Sequence, residues 1–208
     1  MKTKIEQLRK WITESKRMVF FGGAGVSTES GIPDFRSVDG LYHQKFDYPP
    51  ETIISHSFFL NNPEYFYRFY REKMLPLGFE PNVTHRVLAR LEQEGHLAAV
   101  VTQNIDDLHE RAGSTHVTHL HGELRKLRSS ADESLVVPIE GWEQHLDDRA
   151  PDGSLLRPFV VFFGEGVPMF DRAARIAATA DLLIVVGTSL AVYPAASLVR
   201  YIRPDVPV

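Results

Sequence analysis

The stretch GAGVSTESGIPDFRS, Gly23 to Ser37, joins a glycine-rich turn to an acid, an aromatic and a base in consecutive positions, Asp34, Phe35 and Arg36. Glycines placed after a strand let main-chain N–H groups approach a pyrophosphate, and a following helix adds the positive end of its dipole. Gly23, Gly25 and Ser27 suit that chemistry. The dinucleotide fingerprint G-x-G-x-x-G is not matched, because its third glycine falls on Thr28 and no acidic residue closes a second strand about 20 residues later. A tight strand-to-helix connection would need the same glycines. It would not need the bulky, polar PDFRS that follows.

A second segment, HVTHLHGE, holds His116, His119 and His121. On a strand His119 and His121 share one face, which allows a metal pair but supplies no third ligand. Most histidines outside a cleft are ordinary hydrogen-bonded residues, and that reading stays open here. The chain has no cysteine, so disulfides, thiolate nucleophiles and sulfur-ligated metals are excluded.

These segments need elements to hold them. Helical periodicity predicts a first helix over Lys4 to Ser15, then Pro63 to Lys73, Thr84 to Glu94, Met169 to Thr179 and Ala195 to Arg203. Continuous apolar runs at Met18 to Phe21, Leu97 to Thr102, Phe159 to Phe163 and Asp181 to Gly187 read as strands covered on both faces. Strand and helix in alternation predict an α/β fold, a Rossmann-like parallel sheet with helices on both faces. Two regions break the alternation and read as inserted segments, 39–74 and 122–157, leaving a large part of 1–38, 75–121 and 158–208. The final PDVPV looks like the start of a further strand.

The chain of 208 residues is 43% apolar, enough for one core, and its net charge of −4 with a pI near 6.1 offers no nucleic-acid footprint. The charged MKTKIEQLRKWITESKR lacks a signal peptide's apolar centre, and no apolar run approaches a membrane span. A cytoplasmic protein without nucleic-acid or membrane partners is the expectation; oligomeric state is not readable.

Five motifs in order, GAGVSTESGIPDFRS, TQNIDDLHERAG, HG, RPFVVFFGE and GTSLAVYPAA, make the chain resemble the sirtuin family of NAD-dependent protein lysine deacylases over essentially its whole length. The resemblance implies a Rossmann-like domain with a small module, NAD and an acyl-lysine meeting in the cleft between them. It also implies attack of the acyl oxygen on the anomeric carbon of NAD. By motif, Gly23, Ala24, Gly25 and Ser27 would line the pyrophosphate and ribose. Ile32 and Asp34 would hold the nicotinamide amide, Phe35 would shield the ribosyl face, and Arg36 would support the loop. Gln103 and Asn104 would reach the nicotinamide ribose, with Ile105 and Asp106 completing that pocket. Gly187, Thr188 and Ser189 would meet the adenosine ribose and phosphate. His121 would be the base, Asn104 its catalytic companion, and an ordinary pKa near 6.5 suits His121 to the task. Val161, Phe162, Gly164 and Glu165 would pair with the substrate peptide by strand addition.

The pattern is broken in places. Most sirtuins carry two C-x-x-C pairs for a structural zinc between the HG and RP motifs; here there is none, and Asp132, Glu133, His145, Asp147 and Asp148 form no recognisable replacement. The small module is expected to fold on Leu135, Val136, Val137, Ile139, Trp142 and Leu146, with no metal. Gly22 stands where the family usually has threonine. The desuccinylating branch places tyrosine and arginine in the acyl pocket, whereas this chain has Tyr70 and Lys73, a point charge in place of a bidentate fork. Deacetylation of acetyl-lysine proteins, releasing nicotinamide and O-acetyl-ADP-ribose, is therefore the leading expectation. Desuccinylation or demalonylation, mono-ADP-ribosyl transfer, NAD hydrolysis and a non-catalytic NAD-binding module are the alternatives.

Overall fold

The computed structural model describes residues 2–75, 78–138 and 148–208. In chain order these form α1 (Lys2–Glu14), β1 (Met18–Gly22), α2 (Pro50–Ile53), α3 (His56–Asn61), α4 (Pro63–Phe69), α5 (Val83–Gln93), β2 (Leu97–Thr102), α6 (Leu108–Arg111) and β3 (Val117–His119). There follow β4 (Gly122–Ser129), β5 (Val136–Pro138), β6 (Leu156–Val160), α7 (Phe170–Ala178), β7 (Leu182–Val186) and a 3-10 helix over Ala195–Tyr201.

Four strands make a parallel sheet in the order β3-β2-β1-β7. Alternation along β1 explains its unbroken apolar sequence. Val19 and Phe21 pack with Ala173, Ala177, Ala195 and Leu198 on one face; Met18 and Phe20 pack with Leu88 of α5, and with the half-buried Trp11 and Ile12 of α1, on the other. Burying one such side chain contributes roughly 1.5–3 kcal/mol. Gly22 lies opposite both Thr102 and Val186, so three strands end level and their following loops start side by side.

Capping ties helices to those loops. Asn82 accepts from the Thr84 and His85 N–H groups, while the His85 ring accepts from the Asn82 N–H, a reciprocal cap on α5. The Asn82 amide also donates to the Val26 carbonyl at 2.7 Å, fastening α5 to the glycine turn. Behind it the fully buried His85 and His109 rings meet edge to face, centroids 4.7 Å apart.

The run at Phe159 to Phe163 does not belong to this sheet. Its strand is β6, antiparallel to β4 in a second sheet ordered β5-β4-β6. The apolar signal comes from an aromatic cluster instead. Phe58, Phe59, Phe66, Tyr67, Phe69 and Tyr70 pack with Leu124, Val160 and Phe162, so the segment holding α2 to α4 shares one core with the small sheet. α4 stops at Phe69 and continues as a π-helical turn, Tyr70–Met74.

Beyond that cluster, the small sheet buries Leu127, Ala150 and Leu156, with Val137 packed against them. Val136 is 40% exposed rather than interior. Ile139, Trp142, His145, Leu146 and Asp147 lie outside the described residues. At the end of β4 the Ser129 hydroxyl donates to Asp152, meets the Ser154 hydroxyl at 2.7 Å, and accepts from the Ala131 and Asp132 N–H groups. Among the described residues no three metal-ligating side chains converge, and no helix is long and apolar enough to cross a membrane.

Candidate active site

The loops leaving β1, β2 and β7 open onto a cavity of about 280 Å³ whose far wall is the segment after β6. It brings together Gly23, Ala24, Gly25, Ser27, Ile32, Asp34, Phe35, Arg36, Gln103, Asn104, Ile105, Asp106, His121, Gly187, Thr188 and Ser189. Lys73, Val161, Phe162, Gly164 and Glu165 line it as well. Tyr70 does not. It is fully buried and stacked on Phe66, and its hydroxyl has no hydrogen-bond partner among the described residues. Burial pushes that phenol well above its ordinary pKa.

The glycine turn is built for contact between loops. A Cβ on Gly23 would lie 2.7 Å from the Gly187 carbonyl oxygen, and one on Gly25 would lie 2.8 Å from the Gly187 Cα. Gly23 N–H donates to Val186 and Gly25 N–H to Gly187, so neither amide is spare for a phosphate, contrary to the sequence-based expectation. The Ala24 N–H, first in the 3-10 turn over Ala24–Val26, has no partner among the described residues.

Below the turn lies a buried polar chain. Asn104 donates through Nδ2 to the Ser27 hydroxyl at 3.0 Å, and that hydroxyl donates to Asp106 Oδ2 at 2.9 Å. Ser27 is 1%, Asp106 5% and Asn104 8% exposed. Burial raises the Asp106 carboxyl above its ordinary pKa, with Leu108 N–H and Ser27 opposing the rise. Gln103 Nε2 donates to Thr188 Oγ1 at 2.9 Å, which links the loop after β2 to the loop after β7.

The two histidines are placed differently from the expectation of one shared strand face. β3 ends at His119, and each ring reaches back to a carbonyl of the β2 loop: His119 Nδ1 to Asn104 at 3.0 Å and His121 Nδ1 to Gln103 at 3.1 Å. A carbonyl only accepts, so both Nδ1 atoms carry protons. His119 donates its second proton, from Nε2, to Glu110 at 2.7 Å. Burial alone would depress His119, but the Glu110 hydrogen bond and charge, with Asn104, raise it. His121 has no carboxylate partner among the described residues, and burial depresses its pKa despite the Gln103 bond. The neutral tautomer of His121 thus presents Nε2 as an unprotonated acceptor. Gly122 beside it is required by its φ of +81° and by the Phe159 carbonyl oxygen, which a Cβ would approach to 2.0 Å. His116 turns elsewhere, to Glu92.

In the loop over Asp34 to Tyr42, Asp34 Oδ1 accepts the N–H groups of Arg36 and Ser37. Burial would raise its pKa, but the bonds from Ser37 and Arg36 hold it below the usual range. Phe35 and the Arg36 guanidinium both pack on Tyr42, at 5.6 and 5.1 Å between centres.

At the opposite wall Glu165 accepts from Arg157, Arg128, the His56 ring and the Phe162 N–H. Burial would raise its carboxyl, but these bonds, Arg157 foremost, hold it down to about 2. Phe162 is 2% exposed, its ring 3.7 Å from the Arg157 guanidinium. Both residues touch the cavity, yet their side chains are committed inward. Sequence reasoning missed Glu110, Arg128, Arg157 and Tyr42. Glu110 and Arg157 stand inside quoted motifs, but nothing in a linear pattern names their partners.

The sequence profile of the Sir2 family matches residues 23–194. The chain is 47% identical over 209 residues to an NAD-dependent protein deacetylase of Clostridium acetobutylicum, spanning 96% of this chain and 84% of that protein. Among solved structures, a variant of a Sir2 homologue in complex with ADP-ribose superposes with a TM-score of 0.88 at 43% identity, covering 96% of this chain and 81% of that one. A Sir2 variant with a deacetylated p53 peptide and 3'-O-acetyl ADP-ribose superposes at 0.82 and 38% identity, covering 95% and 81%.

Proposed function

The chain belongs to the Sir2 family, and from that premise we propose that it is an NAD-dependent protein lysine deacetylase that releases nicotinamide and O-acetyl-ADP-ribose. One observation carries the reading: a half-buried histidine, His121, fixed by the Gln103 carbonyl so that its unprotonated nitrogen is Nε2, in a cleft shared with Asn104.

The residues present fit the cofactor. The unpartnered Ala24 N–H, the Ser27–Asn104–Asp106 chain and the Gln103–Thr188 bridge give donors and acceptors suited to phosphate, ribose and amide groups. NAD, when bound, supplies an anomeric carbon that takes the acyl oxygen as nicotinamide leaves.

Ala24 and Ser27, with Gly187, Thr188 and Ser189, would hold the phosphates and riboses. Gly23 and Gly25 support that site by letting the two loops touch. Asp106, Ile105, Ile32 and Asp34 would surround the nicotinamide, and a carboxyl whose pKa is raised by burial can donate to an amide carbonyl. Asn104, braced by Ser27, would orient a ribose hydroxyl, and His121 Nε2 would take its proton. Phe35, held by Tyr42, would cover the vacated face against water; Arg36 braces the same loop.

An acylated lysine protein would pair with the segment after β6 through Val161 and Gly164, whose main chains carry the unused groups. Tyr70 is withdrawn from the cleft while the exposed Lys73 lines it, so the tyrosine–cation pair that an acidic acyl chain needs is incomplete. That favours acetyl over succinyl. We divide the chain into a dinucleotide-binding part, 1–38, 75–121 and 158–208, and inserted segments, 39–74 and 122–157, except that the whole of β6, Leu156–Val160, goes to the inserted side because it pairs with β4. Dependence on NAD, an intracellular cofactor, fits a cytoplasmic setting.

The test is incubation with NAD and an acetyl-lysine peptide, following nicotinamide, O-acetyl-ADP-ribose and labelled protein. Equal yields of the first two, lost in His121→Ala, support deacetylation. Nicotinamide without acetyl transfer would replace it by NAD hydrolysis or ADP-ribosyl transfer, and binding without turnover by a non-catalytic role.

A further inference from the structure

We propose that Glu165 is a positioning residue for the substrate peptide: its carboxylate, clamped by Arg157, Arg128 and His56, caps the Phe162 amide and thereby sets which main-chain groups of the segment from Val161 to Gly164 remain for pairing. This rests on the deacetylase reading and deepens it.

Most main-chain groups of this segment already have partners. Val160 C=O accepts from Arg157, and Val161 N–H donates to the His121 carbonyl. Phe162 N–H donates to the Glu165 carboxylate at 2.8 Å, and Phe162 C=O accepts the Glu165 N–H at 3.0 Å. Phe163 N–H donates to the Ile54 carbonyl, and Phe163 C=O accepts the His56 N–H. Among the described residues this leaves the Val161 carbonyl and both groups of Gly164 without a partner. An extended peptide would pair through these groups.

The Glu165 side chain touches every part of this frame. Arg157 comes from β6, Arg128 from β4 and His56 from the start of α3, while the Phe162 amide belongs to the cleft wall itself. Side-chain exposure is 4% for Arg157, 7% for Arg128 and 10% for Glu165, so the charges are compensated locally rather than by water. Glu133 reaches Arg128 only at 3.4 Å and is 69% exposed. Removing the Glu165 charge would leave two buried guanidinium groups with no comparable partner among the described residues, and removing the side chain would also leave the Phe162 N–H without its acceptor.

The test uses Glu165→Gln, which keeps an acceptor for Phe162 but not the charge, and His56→Ala, which removes one half-exposed partner and orphans no buried charge. Expected for Glu165→Gln is at least a tenfold rise in the Kd of a fluorescein-labelled acetyl-lysine peptide, with the KM for NAD within twofold of the parent. Amide exchange over 161–164 should accelerate while β1 and β2 keep their protection. His56→Ala should shift peptide affinity two- to fivefold the same way. Unchanged peptide affinity in a folded Glu165→Gln protein, or parallel losses for NAD and peptide, would overturn the proposal. Should Glu165→Gln not fold, unchanged affinity in His56→Ala overturns it. A parent protein without NAD-dependent turnover sinks the deacetylase reading instead, and the exchange measurement still decides whether Glu165 holds the segment.

Discussion

His121 and Gln103 are joined by a 3.1 Å hydrogen bond in which the ring is the donor and the main-chain carbonyl the acceptor. The bond fixes the tautomer without adding charge. Glu110 does the opposite for His119, two residues away, by taking a second proton donor and favouring the imidazolium.

Replacing His121 by alanine should lower kcat/KM for peptide-dependent nicotinamide release by about 10²–10⁴-fold, the range for a positioned base. NAD binding, followed by calorimetry, should change little. Retention of a tenth of the activity would remove His121 from the role of base.

The acid limb of the rate profile should lie below the ordinary histidine value near 6.5, because burial depresses the His121 pKa and the neutral ring is the working form. Activity should stay flat as pH falls to about 6.5 and decline only below it. A midpoint above 7 in kcat/KM against pH would contradict this.

Stability should fall with acid through His85 and His109, which burial depresses to about 4 and about 3. Both folded values lie below the unfolded one near 6.5, so the unfolded chain binds more protons between them. The contribution is present above pH 6.5 and is lost as pH falls toward the folded values, at up to about 1.4 kcal/mol per pH unit for each ring. Urea midpoints at pH 7 and pH 5 would show it. The double variant His85→Gln with His109→Gln should flatten the slope.

Gly122→Ala should cost about 2–4 kcal/mol, combining a left-handed φ with a clash against the Phe159 carbonyl. A denaturation midpoint equal to the parent's would show that β4 and β6 separate there without strain.

Tyr70→Phe should be neutral or stabilise by up to about 1 kcal/mol, since the hydroxyl it removes is buried without a partner among the described residues. Acetyl-peptide turnover should persist. A tenfold loss would mean that the tyrosine enters the acyl pocket after all.

Much of the fold was legible because β1, β2 and β7 are covered on both faces, and such strands need unbroken apolar sequence. The same logic misassigned Phe159 to Phe163, where an aromatic cluster supplies the cover for an edge strand and the chain following it. In the site, the motifs located the loops but not the use of their groups. Gly23 and Gly25 line the cavity as the motif implied, but nothing in the motif showed that their N–H groups are taken by Val186 and Gly187. The pairs Glu110 with His119 and Glu165 with Arg128 join residues whose spacing repeats nothing, so only the folded chain brings them into view.

The aromatic core shared by α2 to α4 and the small sheet makes those elements one jaw, not two. Phe59 and Phe66 on one side and Phe162 on the other interlock, so neither can shift alone. The elements on that side of the cleft therefore share one packed support. His121, one residue before β4, joins the two sides: its ring is held by the Gln103 carbonyl after β2, and its own carbonyl holds the Val161 N–H after β6.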